Sequence, residues 1–131
     1  MADSKFGTMS RGLVYAAAAL SSLWLVLPSG AGEVEVVAVD AVQQSNGQWR
    51  FSVTLRHDDE GWDHYANRWD VVGPDGTVYG ERVLAHPHEN EQPFTRSLSG
   101  VTIPGEVTSV VIRGNDSVHG LGGKELTVDL E

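Results

Sequence analysis

From Glu33 onward the chain is written in short β-branched runs stopped by turn residues, and no stretch keeps a helical period of useful length. The clearest run is Trp49 to Arg56. Trp49, Phe51, Val53 and Leu55 alternate there with Arg50, Ser52, Thr54 and Arg56, the period of two that marks a half-buried antiparallel strand. Glu33 to Gln44 precedes it, and its phase slips near Val36-Val37, as at a bulge or a change of sheet. Asn46-Gly47 between the two is a hairpin signal. Five further strands are predicted over Trp69–Val72, Thr77–Leu84, Thr95–Ile103 (kinked at Gly100), Val107–Arg113 and Lys124–Leu130. Gly73-Pro74-Asp75-Gly76 and Pro104-Gly105 supply turns between them.

Seven short strands within residues 32–131 predict an all-β fold, a seven-stranded antiparallel β-sandwich of immunoglobulin-like arrangement. Trp69 is the candidate core tryptophan, packing on Val53 and on Val110 or Ile112. The stretch Val110 to Leu130 (VVIRGNDSVHGLGGKELTVDL) resembles the final hairpin of bacterial immunoglobulin-like repeats. Gly61-Trp62-Asp63-His64-Tyr65 and His86-Pro87-His88 with Gln92-Pro93-Phe94-Thr95-Arg96 are similar to segments of small exported bacterial proteins. The resemblance implies an immunoglobulin or fibronectin III-like domain and brings no activity with it.

Ahead of these strands, Lys5 and Arg11 flank an apolar run, Leu13 to Leu27, which is short for a bilayer span of about 20 residues. Pro28 breaks it, and Ser29-Gly30-Ala31 places small residues where a signal peptidase reads them. Residues 1–31 are therefore predicted to be a cleaved signal peptide, with an uncleaved anchor as the alternative. Residues 32–131 form the one domain, periplasmic or secreted, with no membrane association after cleavage. Loss of Lys5, Arg11 and Asp3 takes the net charge from −9 to −10. An acidic surface of this kind repels nucleic acid and attracts cations. The chain has no cysteine, which excludes disulfides, a lipid-bearing cysteine, blue-copper sites and iron–sulfur clusters.

Chain direction supplies the argument about function. If strands alternate up and down, the connections holding Asn46-Gly47, Pro74-Asp75-Gly76 and Pro104-Gly105 share one end. The other end receives His57–Arg68, Ala85–Phe94 and Asn115–Gly123, each about ten residues against a median of roughly 4–6. All five histidines lie in these three long connections. Imidazole is a common transition-metal ligand. In His86-Pro87-His88 the proline favours extended geometry, which puts the two imidazoles on one side. His64, His86, His88 and His119 are accordingly the candidate ligands for a Cu, Zn or Ni ion, with Asp63, Glu89 and Asp116 as carboxylates beside them. His57, at a strand end, is expected to order that end through a backbone hydrogen bond. Trp62, Tyr65, Trp69 and Phe94 are alternatively the aromatic plug of the sandwich. Asp58-Asp59-Glu60 with Asp63 could hold Ca²⁺, although no EF-hand spacing is present.

Nucleophile elbows, HExxH and phosphate loops are absent, and Ser117 two residues before His119 is not a triad, so no enzyme is predicted. Two readings follow. In one the domain is an exported, non-catalytic binding module that takes a metal ion at its histidine pole, with affinity falling below roughly pH 6. In the other it is a metal-free immunoglobulin-like interaction domain of the cell envelope. It would then dock an envelope protein or peptide through Trp62, Tyr65, Phe94, Val118 and Leu121.

Overall fold

The computed structural model describes residues 32–130; the signal peptide predicted over residues 1–31 lies outside them. Among the described residues there are eight strands: β1 (Glu35–Gln43), β2 (Trp49–Arg56), β3 (Ala66–Val72), β4 (Val78–Val83), β5 (Phe94–Val101), β6 (Ser109–Asp116), β7 (Gly120–Leu121) and β8 (Leu126–Asp129). One sheet has the order β1-β2-β5. The other runs β4-β3-β6, with β7 and β8 both pairing β6. Every pairing between these strands is antiparallel, so the expected all-β, two-sheet antiparallel sandwich is the fold. The count differs by one, because the two-residue β7 precedes the last strand.

The core forms where the inward faces of the two sheets meet. Phe51, Val53 and Leu55 of β2 face Trp69 and Val71 of β3 and Val110 and Ile112 of β6, and all of these are buried. Fully burying side chains of this size contributes about 1.5–3 kcal/mol each. Trp69 takes the expected place in that cluster. On the outer face of β2, Ser52 and Thr54 pair with Ser97 and Thr95 of β5 through hydroxyl hydrogen bonds of 2.8 Å, which fixes the register from the solvent side.

Two irregularities were written in the sequence. β1 changes register between Val36 and Ala38: Val34 and Val36 face inward before it, Val39 and Ala41 after it. The Val36 amide donates to the Lys124 carbonyl (2.9 Å), so the start of β1 leans on the second sheet before β1 joins β2. β5 shifts against β2 between Leu98 and Val101, where Gly100 takes a φ of +74°, a conformation that side-chain-bearing residues avoid. The outward carboxylate of Asp70 on β3 is covered by Arg68 (2.7 Å) and by Arg113 from its cross-strand partner position (3.2 Å).

Alternation of the strands brings the β2–β3, β4–β5 and β6–β7 connections to one end. The Tyr65 carbonyl accepts the Ser117 amide, and the Ser117 hydroxyl accepts the Tyr65 amide, both at 2.9 Å. The His57 amide donates to Gln92 Oε1 (2.9 Å), and Gln92 Nε2 donates to the His88 carbonyl (2.9 Å). The three histidine-bearing loops are thereby tied into one surface.

Candidate metal centre

Asp116 closes β6, and its buried carboxylate organises the pole. Oδ1 accepts the amides of Val118 (2.6 Å) and His119 (2.8 Å), the side-chain-to-backbone turn that aspartate favours after a strand. That turn swings the His119 ring back over Gly32. Oδ2 points the other way, to Nε2 of His57 and to Nε2 of His64 (2.8 Å). The three side chains offer one ligand atom each, all within 4.8 Å of one another.

The far sides of both rings are held by carboxylates. Asp59 Oδ1 contacts Nδ1 of His57 (2.5 Å), and Glu60 Oε1 contacts Nδ1 of His64 (2.7 Å). With a carboxylate on Nδ1, the hydrogen of a neutral imidazole sits there and the Nε2 lone pair is left free. Both Nε2 atoms point to the same carboxylate oxygen, Oδ2 of Asp116. Asp59 is itself locked by the Ala66 amide (3.1 Å) and the His88 amide (2.6 Å), which fixes the His57 ring from behind.

Backbone oxygen completes the cluster. The Gly32 carbonyl lies 3.2 Å from His57 Nε2, 3.2 Å from His64 Nε2 and 2.9 Å from His119 Nδ1. His119 Nδ1 is also 3.3 Å from Asp116 Oδ1. The side chains of His57 and Asp116 are fully buried, whereas those of His64 and His119 are 16% and 43% exposed. Solvent therefore reaches the cluster past His64 and His119.

Electrostatics match this geometry. The hydrogen bond to Glu60 is the main cause that raises the His64 pKa to about 9; burial opposes it, and Asp116 and the Gly32 carbonyl reinforce it. Burial works against the Asp116 carboxylate, yet the amides of His119 and Val118 and the imidazoles of His57 and His64 hold its pKa at about 2.

The predicted ligands divide into two groups. His64 and His119 join the cluster, with ring centroids 5.1 Å apart, and Asp116 lies at its centre rather than beside it. His86 and His88 stay together elsewhere in the pole, with ring centroids 4.7 Å apart. His88 is turned into the interior and stacks on Phe94 at 4.0 Å and 9°. Both of its ring nitrogens are buried without a hydrogen-bond partner, and burial pushes its pKa down, aided by Arg96 and His86. His86 Nδ1 lies 3.0 Å from the Pro87 carbonyl. Proline does bring the two imidazoles of the HxH segment together, but a flat aromatic face then draws His88 into the core.

Other residues shift in role as well. His57, read as a strand-end residue, occupies the inner position of the cluster. Asp63 and Glu89 are exposed, with Glu89 beside the backbone of Gly61. Phe94 is buried beneath His88 and is not accessible to a partner. Trp62 is 66% exposed and meets Tyr65 edge-on at 5.6 Å, so it is not part of an interior plug, unlike Trp69 and Phe94. The signal that would have found His57 was its neighbour: His-x-Asp at 57–59 puts a carboxylate within reach of the same imidazole.

No family model matches the chain. A protein of Halomicrobium mukohataei named "Putative lipoprotein" is 46% identical over 99 residues, covering 74% of this chain and 48% of that protein. The chain thus spans about half the length of this curated relative. In structure it is similar to a hypothetical protein from Pyrococcus horikoshii OT3. The TM-score is 0.52 at 15% identity, over 79% of this chain and 94% of that one, a likeness of fold alone. Among the described residues, no helix is long and apolar enough to cross a membrane.

Proposed function

We propose that this chain is an exported, non-catalytic module that takes up one divalent transition metal ion. Cu²⁺, Zn²⁺ or Ni²⁺ would be bound through Nε2 of His57, Nε2 of His64 and Oδ2 of Asp116. The observation that carries the reading is the orientation of the two imidazoles. Each has its Nδ1 against a carboxylate, Asp59 or Glu60, and its Nε2 turned to a shared acidic oxygen. In the metal-free protein these atoms are joined by hydrogen bonds. Two ligand atoms on one ion at tetrahedral angles stand roughly 3.4 Å apart, so the nitrogen–oxygen contacts widen when the metal replaces those hydrogen bonds.

Export is supported by the predicted leader and by the name of the Halomicrobium relative. Opposition of β1-β2-β5 to β4-β3-β6-β8 supports membership among immunoglobulin or fibronectin III-like domains. Calorimetric titration of residues 32–131 tests the reading. One ion per chain is expected, with uptake lost in His57→Ala and Asp116→Ala and retained in His86→Ala and His88→Ala. No stoichiometric uptake of any of the three ions, or loss confined to the His86 and His88 variants, would overturn it.

A second reading rests on a different observation. Trp62, Val118 and Leu121 are 66%, 58% and 40% exposed on the same loops. Such residues suit a metal-free interaction domain that docks an envelope protein or peptide at this pole.

A further inference from the structure

The oxygen shared by three imidazoles belongs to Gly32, the residue that directly follows the predicted cleavage point after Ala31. We propose that removal of residues 1–31 completes the metal centre, the new α-amino group of Gly32 becoming a nitrogen ligand to the ion held by His57, His64 and Asp116. The inference rests on the metal reading above and adds the ligand that makes the site depend on maturation.

The chemistry is that of a chelate. The α-nitrogen and the carbonyl oxygen of one residue close a five-membered ring on a metal ion, and the carbonyl oxygen of Gly32 already lies in the cluster. A second donor tethered to the first binds as an intramolecular ligand, at high effective concentration. While residue 31 is attached, the same nitrogen is an amide whose lone pair is delocalised into the peptide bond, and it offers no comparable donor. Processing therefore converts a non-ligand into a ligand.

The local backbone is fixed in a way that suits this use. Gly32 has a φ of +96°, and a Cβ there would lie 2.5 Å from Cε1 of His119. Glycine leaves room there for the His119 imidazole to pack against the backbone. From Gly32 the chain passes to Val34, which is buried in the core, so the terminal residue is anchored within two positions.

Three forms of the domain test the proposal: one starting at Gly32, one with that amino group acetylated, and one keeping Ser29-Gly30-Ala31 ahead of it. The whole buried core lies between Val34 and Ile112, so all three retain it, and equal melting curves verify this. Titration with Cu²⁺ is expected to give at least tenfold tighter binding to the Gly32 form than to the other two, which should agree with each other. The electron paramagnetic resonance spectrum should show one more nitrogen donor in that form. Equal affinity in all three forms, still abolished by His57→Ala, would overturn the amino-terminal ligand and leave the imidazole–carboxylate site standing. Failure of every form to take up Cu²⁺ would overturn both.

Discussion

Replacing Asp116 by alanine should cost the metal-free domain about 3–5 kcal/mol, the range for breaking a buried charged pair by removing one partner. The structure gives the contributions. Two amides, from Val118 and His119, lose the oxygen they donate to; the loop is partly wet, so each is worth about 1 kcal/mol. His57 Nε2, fully buried, loses a charged acceptor, worth about 1.5–3 kcal/mol. Asp116→Asn should be milder, at about 1–2 kcal/mol, because an amide oxygen can still accept both backbone groups while the charge is lost. Urea denaturation near pH 6 in the presence of a chelator reads both variants. Domain stabilities of about 5–15 kcal/mol leave room to measure such losses. An alanine variant within about 1 kcal/mol of the parent, or an asparagine variant as damaged as the alanine one, would refute the assignment of roles to the two oxygens.

Four other outcomes are expected. Without metal, His64 stabilises the fold fully below pH 6.5, and its contribution is lost as pH rises through about 9; that of Asp116 is present above pH 3.8 and lost as pH falls through about 2. Urea midpoints should therefore peak between about pH 4 and 6.5, and a midpoint that rises from pH 7 to 9 would contradict this. Metal affinity should move oppositely, gaining about tenfold per pH unit between 7 and 9 as His64 gives up its proton, a competition reaching well above the pH 6 expected of an unperturbed histidine. Proton release measured by calorimetry in buffers of different ionisation enthalpy checks that slope, and a flat profile would contradict it. His88→Phe should be neutral or stabilising in thermal melts and leave metal uptake unchanged, since it removes two unpartnered buried nitrogens and keeps a flat ring on Phe94; clear destabilisation would show a partner for that ring. Gly123→Ala should unfold the domain as judged by circular dichroism, because its Cβ would lie 1.8 Å from the Val34 carbonyl oxygen, a backbone clash that no rotamer relieves.

The strands that were legible were those with one wet face. β2 begins and ends where its alternation does, and the slip in β1 and the kink at Gly100 both appear where the pattern falters. β3 was harder to read. Its first residues, Ala66-Asn67-Arg68, carry no alternation and are held as a strand by pairing with Asn115 and Asp116 of β6 and, at Arg68, with Val83 of β4. The last strand is shorter than expected, Leu126–Asp129, and Gly120–Leu121 forms a separate short strand because Gly122, at φ +149°, interrupts the run.

Geography at the pole followed from strand parity, but membership of the cluster did not. Asp116 and His57 are 59 residues apart, and nothing local announces that they meet. A histidine directly after a strand reads as a strand end, whereas Asp59 and Asp116 make it the most enclosed member of the site. HxH is conspicuous in one dimension; in three, stacking on Phe94 overrides the geometry that proline provides.

The most direct measurement is anomalous diffraction at the metal edge from crystals of residues 32–131 grown with Cu²⁺. A single strong peak is predicted among Nε2 of His57, Nε2 of His64 and Oδ2 of Asp116, against the Gly32 carbonyl. A peak between His86 and His88 instead, or none at full Cu²⁺ loading, would contradict the account.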